Sequence, residues 1–155
     1  LTPLVKEPLF LIGSAQSTLQ QNEVLELKKI EKFPLILPFH PHRLRSLIEQ
    51  AYKQNGSHLN IYAETNDLNI QKQLVIQVID YTILPLVSVI NEFRARLIKV
   101  TPIVDPAFSR VITLAMHSTR NIPKHIRIIS REIVGCVEQS IEQKKWPKAE
   151  WIYES

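Results

Sequence analysis

Glycine is scarce in this chain, at 3 residues in 155. A loop that cradles phosphate needs glycines so that backbone N–H groups can approach the anion, and there is little material for one here. With 10 prolines beside so few glycines, a linker or low-complexity segment is not expected. Cysteine is rarer still. The single Cys136 excludes an internal disulfide and fits a reducing, cytoplasmic setting. No apolar run approaches the ~18 residues of a membrane-spanning helix, so no membrane partner is expected. The opening Leu1-Thr2-Pro3-Leu4-Val5-Lys6-Glu7-Pro8 lacks the charged-then-apolar layout of a secretion signal. It also lacks an initiating methionine, and a fragment is the expectation. No Ser-His-Asp order or paired-carboxylate motif stands out. The chain reads as no enzyme, with no cofactor.

What is present is a core. Apolar residues make up 45% of the chain. The net charge of +4 is mild and its basic residues are scattered among 15 acidic ones, which describes a solvated mixed surface better than a nucleic-acid face.

Apolar runs and helical stripes alternate along the chain. Strands are predicted at Pro8–Gly13, Pro34–Pro38, His58–Ala63, Tyr81–Leu84, Leu97–Ile103 and Val111–Met116. Helices are predicted at Glu23–Phe33 (Leu27, Ile30 and Val24 on one face), Pro41–Gln54, Asp67–Val78, Leu86–Arg94 and Pro123–Lys145. Pro41 suits a first helical position, and Asn55-Gly56 a helix end. The last helix carries Ile126, Ile129, Ile133, Val137 and Ile141 as its stripe. This alternation predicts an α/β fold with a mostly parallel sheet covered on both faces. Ligands of such sheets bind at the carboxyl ends of strands, where helix N-termini converge. Three junctions qualify: Pro38–His42, Glu64–Asp67 and Pro85–Leu86.

The first junction, Pro38-Phe39-His40-Pro41-His42-Arg43, combines a helix start with cationic side chains, a setting for an anion. Phe39 supplies an apolar wall, and Arg45 is expected to point to solvent. His40 and His42 have metal-ligand spacing, but a third ligand is not evident, so no metal is expected. At the second junction Thr65 and Asn66 either bond a ligand or cap the helix with Asp67. Phe108 either closes a cleft or packs in the core. Cys136, beside Val137 on the last helix, is expected to be buried. Trp146 and Trp151 cover an apolar edge or anchor a partner.

Several stretches together resemble the effector-binding domain of LysR-type transcriptional regulators. "VKEPLFLIGSA" resembles the family's crossover segment. "PLILPFHPHRLRSLIEQA" is similar to its next strand, pocket loop and helix. "AETNDLNIQKQLVIQVIDYTILP" follows its acidic loop, helix and Leu-Pro strand without a gap. "IVDPAFSRVITLAM" resembles the return through an Asp-Pro segment. The resemblance covers nearly the whole chain, and its specificity lies in the order and spacing of the motifs.

The resemblance implies a fold like the type 2 periplasmic binding proteins, with one complete α/β lobe and part of another. Residues 1–100 would be hinge strand and second lobe, 101–145 the return and partial first lobe, and 146–155 a tail. It implies that the DNA-binding head and half of the first lobe are absent. It further implies a small anionic effector in an interlobe cleft, contacting Pro38, Phe39, His40, His42, Arg43, Thr65, Asn66 and Phe108. The regulator would be a homo-oligomer that reaches DNA through its missing helix-turn-helix. A solute-binding protein of a transporter is the alternative, and an enzyme on the same fold a third reading. One departure stands out. The family's Gly-x-Gly before the "DYTILP" strand is replaced at Val78 and Asp80, so the preceding helix is expected to end a turn later, with Asp80 either an exposed turn residue or a polar group that tunes the cleft or a partner surface.

Overall fold

The computed structural model describes residues 1–20, 22–77, 80–117 and 121–154. Its contacts divide the chain into two compact units, Pro8–Phe108 and Leu1–Glu7 with Ser109–Ser155. Among the described residues, no helix is long and apolar enough to cross a membrane.

The larger unit begins inside β1 (Thr2–Ser14). There follow β2 (Leu25–Glu26), α1 (Leu27–Ile30), β3 (Leu35–Leu37), α2 (Arg43–Gln54), β4 (Ile61–Glu64), α3 (Leu68–Ile76), β5 (Thr82–Pro85), a 3-10 turn (Leu86–Val89), α4 (Ile90–Arg94) and β6 (Ile98–Val104). Leu9 to Ser14 are all buried, as a strand covered on both faces requires. The strands form two sheets, one ordered β2-β6-β1-β5 and a separate parallel pair β3-β4, and the pairing is mixed rather than mostly parallel. β3 and β4 are parallel, as are β2 and β6, but β1 runs antiparallel to both β5 and β6. The alternating pattern anticipated the crossover units. It gave no sign that β1, which belongs to none of them, inserts between β5 and β6.

The predicted helix 23–33 shrinks to α1. Glu26 is extended, and Leu25 and Glu26 pair with Ile103 and Val104, so strand pairing claims the first half. Leu27 and Ile30 are fully buried as their stripe predicts, whereas Val24 is exposed. Pro34 disfavours helix in the residue before it. α2 starts at Arg43, after His42 rather than at Pro41, because the His42 ring supplies the cap: Nδ1 accepts from the Leu44 N–H at 3.2 Å. Leu44, Ile48 and Tyr52 are buried along its stripe, each such burial being worth roughly 1.5–3 kcal/mol. Asn55 ends the helix and Gly56, at φ +64°, takes the left-handed turn that follows. α3 ends at Ile76, not a turn later; Val78 lies outside the described residues.

The smaller unit holds the first residues of β1, then β7 (Ser109–Leu114), α5 (Lys124–Glu142) and β8 (Glu150–Trp151). β7 pairs with β1, and β8 pairs antiparallel with it at Val5 and Lys6. Glu7 is 1% exposed, and its carboxylate accepts from Arg110 Nε at 2.6 Å and Trp146 Nε1 at 2.8 Å. Both tryptophans are thus engaged by their own chain, Trp146 through Glu7 and Trp151 through Val5. Cys136 is exposed, contrary to its expected burial. The reason is general to its helix: α5 has its stripe but buries no residue.

The paired loops at the ends of β3 and β4

Parallel pairing delivers β3 and β4 to the same end, with Leu37 opposite Glu64. The loops that follow therefore leave side by side. The Thr65 N–H donates to the Leu37 carbonyl at 2.9 Å. The Phe39 N–H donates to Asn66 Oδ1 at 2.8 Å. Asn66 thus ties the first junction to the second, a link between residues 27 apart in sequence.

The cap of α3 belongs to Asp67, whose Oδ1 accepts from the Asn69 N–H at 2.8 Å and the Ile70 N–H at 3.0 Å. Thr65 Oγ1 in turn accepts from the Asp67 N–H at 3.2 Å. The first amides of α3 are therefore occupied by the helix's own cap. Beneath the loops, buried Gln71 of α3 donates to Thr82 Oγ1 at 2.6 Å, and Thr82 donates to the Ile36 carbonyl at 2.7 Å. This polar chain fixes α3 against β3 and β5.

Arg45 overturns its expected exposure. Only 5% exposed, it donates from Nε to Glu49 at 2.7 Å and from Nη1 to Glu64 at 2.9 Å and the Pro38 carbonyl at 3.0 Å. An arginine pointing inward from α2 needs paired acceptors, and two carboxylates and a carbonyl provide them. It braces the loop rather than presenting charge to solvent. Glu49 also accepts from His40 Nε2 at 2.9 Å. Burial works against the Glu49 charge, but the hydrogen bonds from Arg45 and His40 outweigh it and hold the carboxyl below its ordinary range.

Of the eight predicted site residues, seven gather here. Pro38 is buried, with its carbonyl on Arg45. Phe39 is 48% exposed, and His40, His42 and Arg43 are exposed around the start of α2. Thr65 and Asn66 form the facing loop. Phe108 instead packs in the core at 6% exposure, its carbonyl accepting from the Leu9 N–H at 2.8 Å. Both imidazoles are engaged, His40 by Glu49 and His42 by the helix cap. Sequence reasoning missed Glu49 and Glu64. The signal for the first was present as the Arg45–Glu49 spacing of four on one helix; Glu64 needed the strand pairing.

Asp80 is buried rather than exposed, and its Oδ2 has no hydrogen-bond partner. Burial pushes its pKa up. The neighbouring Tyr81 explains the placement in part: its amide and carbonyl bond Pro34 and Ile36, which draws the backbone in beside β3.

The chain as a whole is similar to known proteins. The model of the LysR substrate binding domain matches residues 1–133. The HTH-type transcriptional regulator BbuR of Bordetella bronchiseptica is 23% identical over 145 residues, which are 94% of this chain and 45% of that protein. This chain thus spans less than half the length of that relative. Among solved structures, the effector binding domain of QuiR in complex with shikimate superposes with a TM-score of 0.75 at 19% identity, covering 89% of this chain and 65% of that one. The CcmR regulatory domain of Synechocystis PCC6803 in complex with 2-PG gives a TM-score of 0.77 at 11% identity, over 88% of this chain and 65% of that one. These two likenesses show the shared α/β fold. The match to the LysR family model does not favour a transporter's solute-binding protein. From the extent of the family match, the chain belongs to the LysR substrate-binding domain family.

Proposed function

We propose that the chain is the effector-sensing part of a LysR-type transcriptional regulator and that its larger unit binds a small carboxylate at the paired loops. The observation that carries the reading is the Phe39–Asn66 hydrogen bond, which holds two strand-end loops together beside the start of α2. Both helices are capped from within, α3 by the Asp67 carboxylate and α2 by the His42 ring on the Leu44 N–H, but an anion belongs at α2, whose start carries Arg43 and two imidazoles rather than an acidic cap. Arg43, His40 and His42 flank that position, and Phe39 offers an apolar wall. The complexes of QuiR with shikimate and CcmR with 2-PG support a small-molecule ligand for this fold.

The chain acts without catalysis in this reading. Effector binding favours one conformation and thereby alters operator contacts made by a helix-turn-helix outside these 155 residues. The whole regulator works in the cytoplasm as a homo-oligomer, a reading supported by the exposed isoleucines of α5. The larger unit corresponds to the second lobe and the smaller one to part of the first.

Calorimetric titration with a panel of small carboxylates, shikimate included, tests the site. A binding member of the panel is expected to lose at least tenfold in affinity in Phe39→Ala and in Arg43→Ala. Unchanged affinity in both would remove the loops from the site. The chain alone is expected to give no sequence-specific DNA shift at 150 mM salt.

A further inference from the structure

The segment after α5 behaves as a ligand of its own protein. It leaves the helix through Lys144 and Lys148, both at positive φ, and lies against β1 as β8. Val5 pairs with Trp151 and Lys6 with Glu150, and the Ile152 N–H donates to the Leu4 carbonyl at 3.0 Å. One side chain adds specificity to this backbone pairing. Trp146 donates its indole N–H to Glu7, a carboxylate 1% exposed whose other oxygen is held by Arg110. A buried carboxylate needs its donors, so Glu7 selects for an indole at this place and not merely for an aromatic ring. The segment lies beyond residue 133, where the match to the family model ends.

We propose that the edge of β1 at Leu4–Lys6, with Glu7 and Arg110, is a strand-docking site whose ligand is the C-terminal segment 146–154. Main-chain hydrogen bonds supply the general affinity and the indole on Glu7 the selectivity, the division of labour by which sheet edges bind extended peptides. Here the site is filled in cis, which also covers an edge that would otherwise invite pairing. Because the contacts are carried by one short segment, the same segment from a second copy fits the site once a chain's own segment is released. That exchange would link two copies through this segment.

The test uses a labelled peptide of residues 146–155 and fluorescence anisotropy. The protein shortened after Lys145 is expected to bind it, and to bind a Trp146→Phe peptide at least tenfold more weakly. The 155-residue chain is expected to bind neither, its site being occupied. A second variant guards against failure of the shortened chain to fold. In the 155-residue Trp146→Phe, Ile152→Pro variant, the indole bond and the Ile152 N–H are both removed, and the wild-type peptide is expected to bind. If the folded shortened chain ignores the peptide, or if the double variant binds it no better than wild type, the docking site is refuted. Equal binding of the two peptides would refute the role of Glu7. The proposal is independent of the effector reading, and calorimetry with carboxylates is blind to its outcome.

Discussion

α2 and α5 are both amphipathic, yet one buries its stripe and the other buries nothing. α2 packs Leu44, Ile48 and Tyr52 into the core of the larger unit, with Ile48 at 0% exposure. α5 is longer and carries five isoleucines, of which Ile126, Ile129 and Ile133 are 36%, 53% and 40% exposed. Periodicity shapes the helix in both cases. Burial depends on neighbours, and the larger unit supplies strands on which α2 can lie. A stripe in the sequence is thus evidence for a helix and only a request for a surface.

The same substitution on the two helices puts this contrast to measurement. Ile48→Ala should cost about 3 kcal/mol in urea unfolding, from lost transfer energy and the cavity left behind. Smaller is Arg45→Met. It leaves Glu49 and Glu64 without the guanidinium they share, but both are about one-third exposed, so about 2 kcal/mol is expected rather than the full cost for a buried pair.

Asp80→Asn should act in the opposite direction. Its folded-state pKa is raised, so the carboxyl favours folding at acid pH and opposes it once the pH rises through the folded value. The substitution should therefore stabilise at pH 7, with the gain vanishing as the pH falls below about 4. Glu49 has the reverse sign. Its lowered pKa contributes stability above the ordinary carboxylate range, which is lost as the pH falls through the folded value. Smallest of all, Ile129→Ala in dilute, monomeric protein should stay within about 0.5 kcal/mol of wild type. A loss comparable to that of Ile48→Ala would abolish the distinction between the two helices.

The parts of the fold legible in the sequence were those set by local rules. α2, its stripe and its Asn55-Gly56 end follow from periodicity and turn chemistry, and the junction at Pro38–Arg43 follows from where a strand meets a helix. The parts that were not legible depend on distant partners. β2 replaced half of a predicted helix because Ile103 and Val104 lie beside Leu25 and Glu26. Arg45 turned inward because Glu64, from another strand, was there to receive it. Cys136 was misplaced because its helix obeyed the pattern while the burial did not follow.

The way β1 is shared has a consequence for how the protein is made. Residues Pro8–Phe108 form a continuous stretch, so the larger unit can close while the ribosome is still adding residue 109 and beyond. The smaller unit joins the first seven residues to the last forty-seven, from Ser109 to Ser155. Glu7 must wait for Arg110, 103 positions later, and for Trp146, 139 positions later. Closing so long a loop adds only a logarithmic entropy cost, so the delay is one of translation rather than of thermodynamics. During that interval the amino-terminal strand exists with an acidic side chain but no cation or indole to meet it. A nascent chain stalled before Trp146 would be the natural form in which to see it.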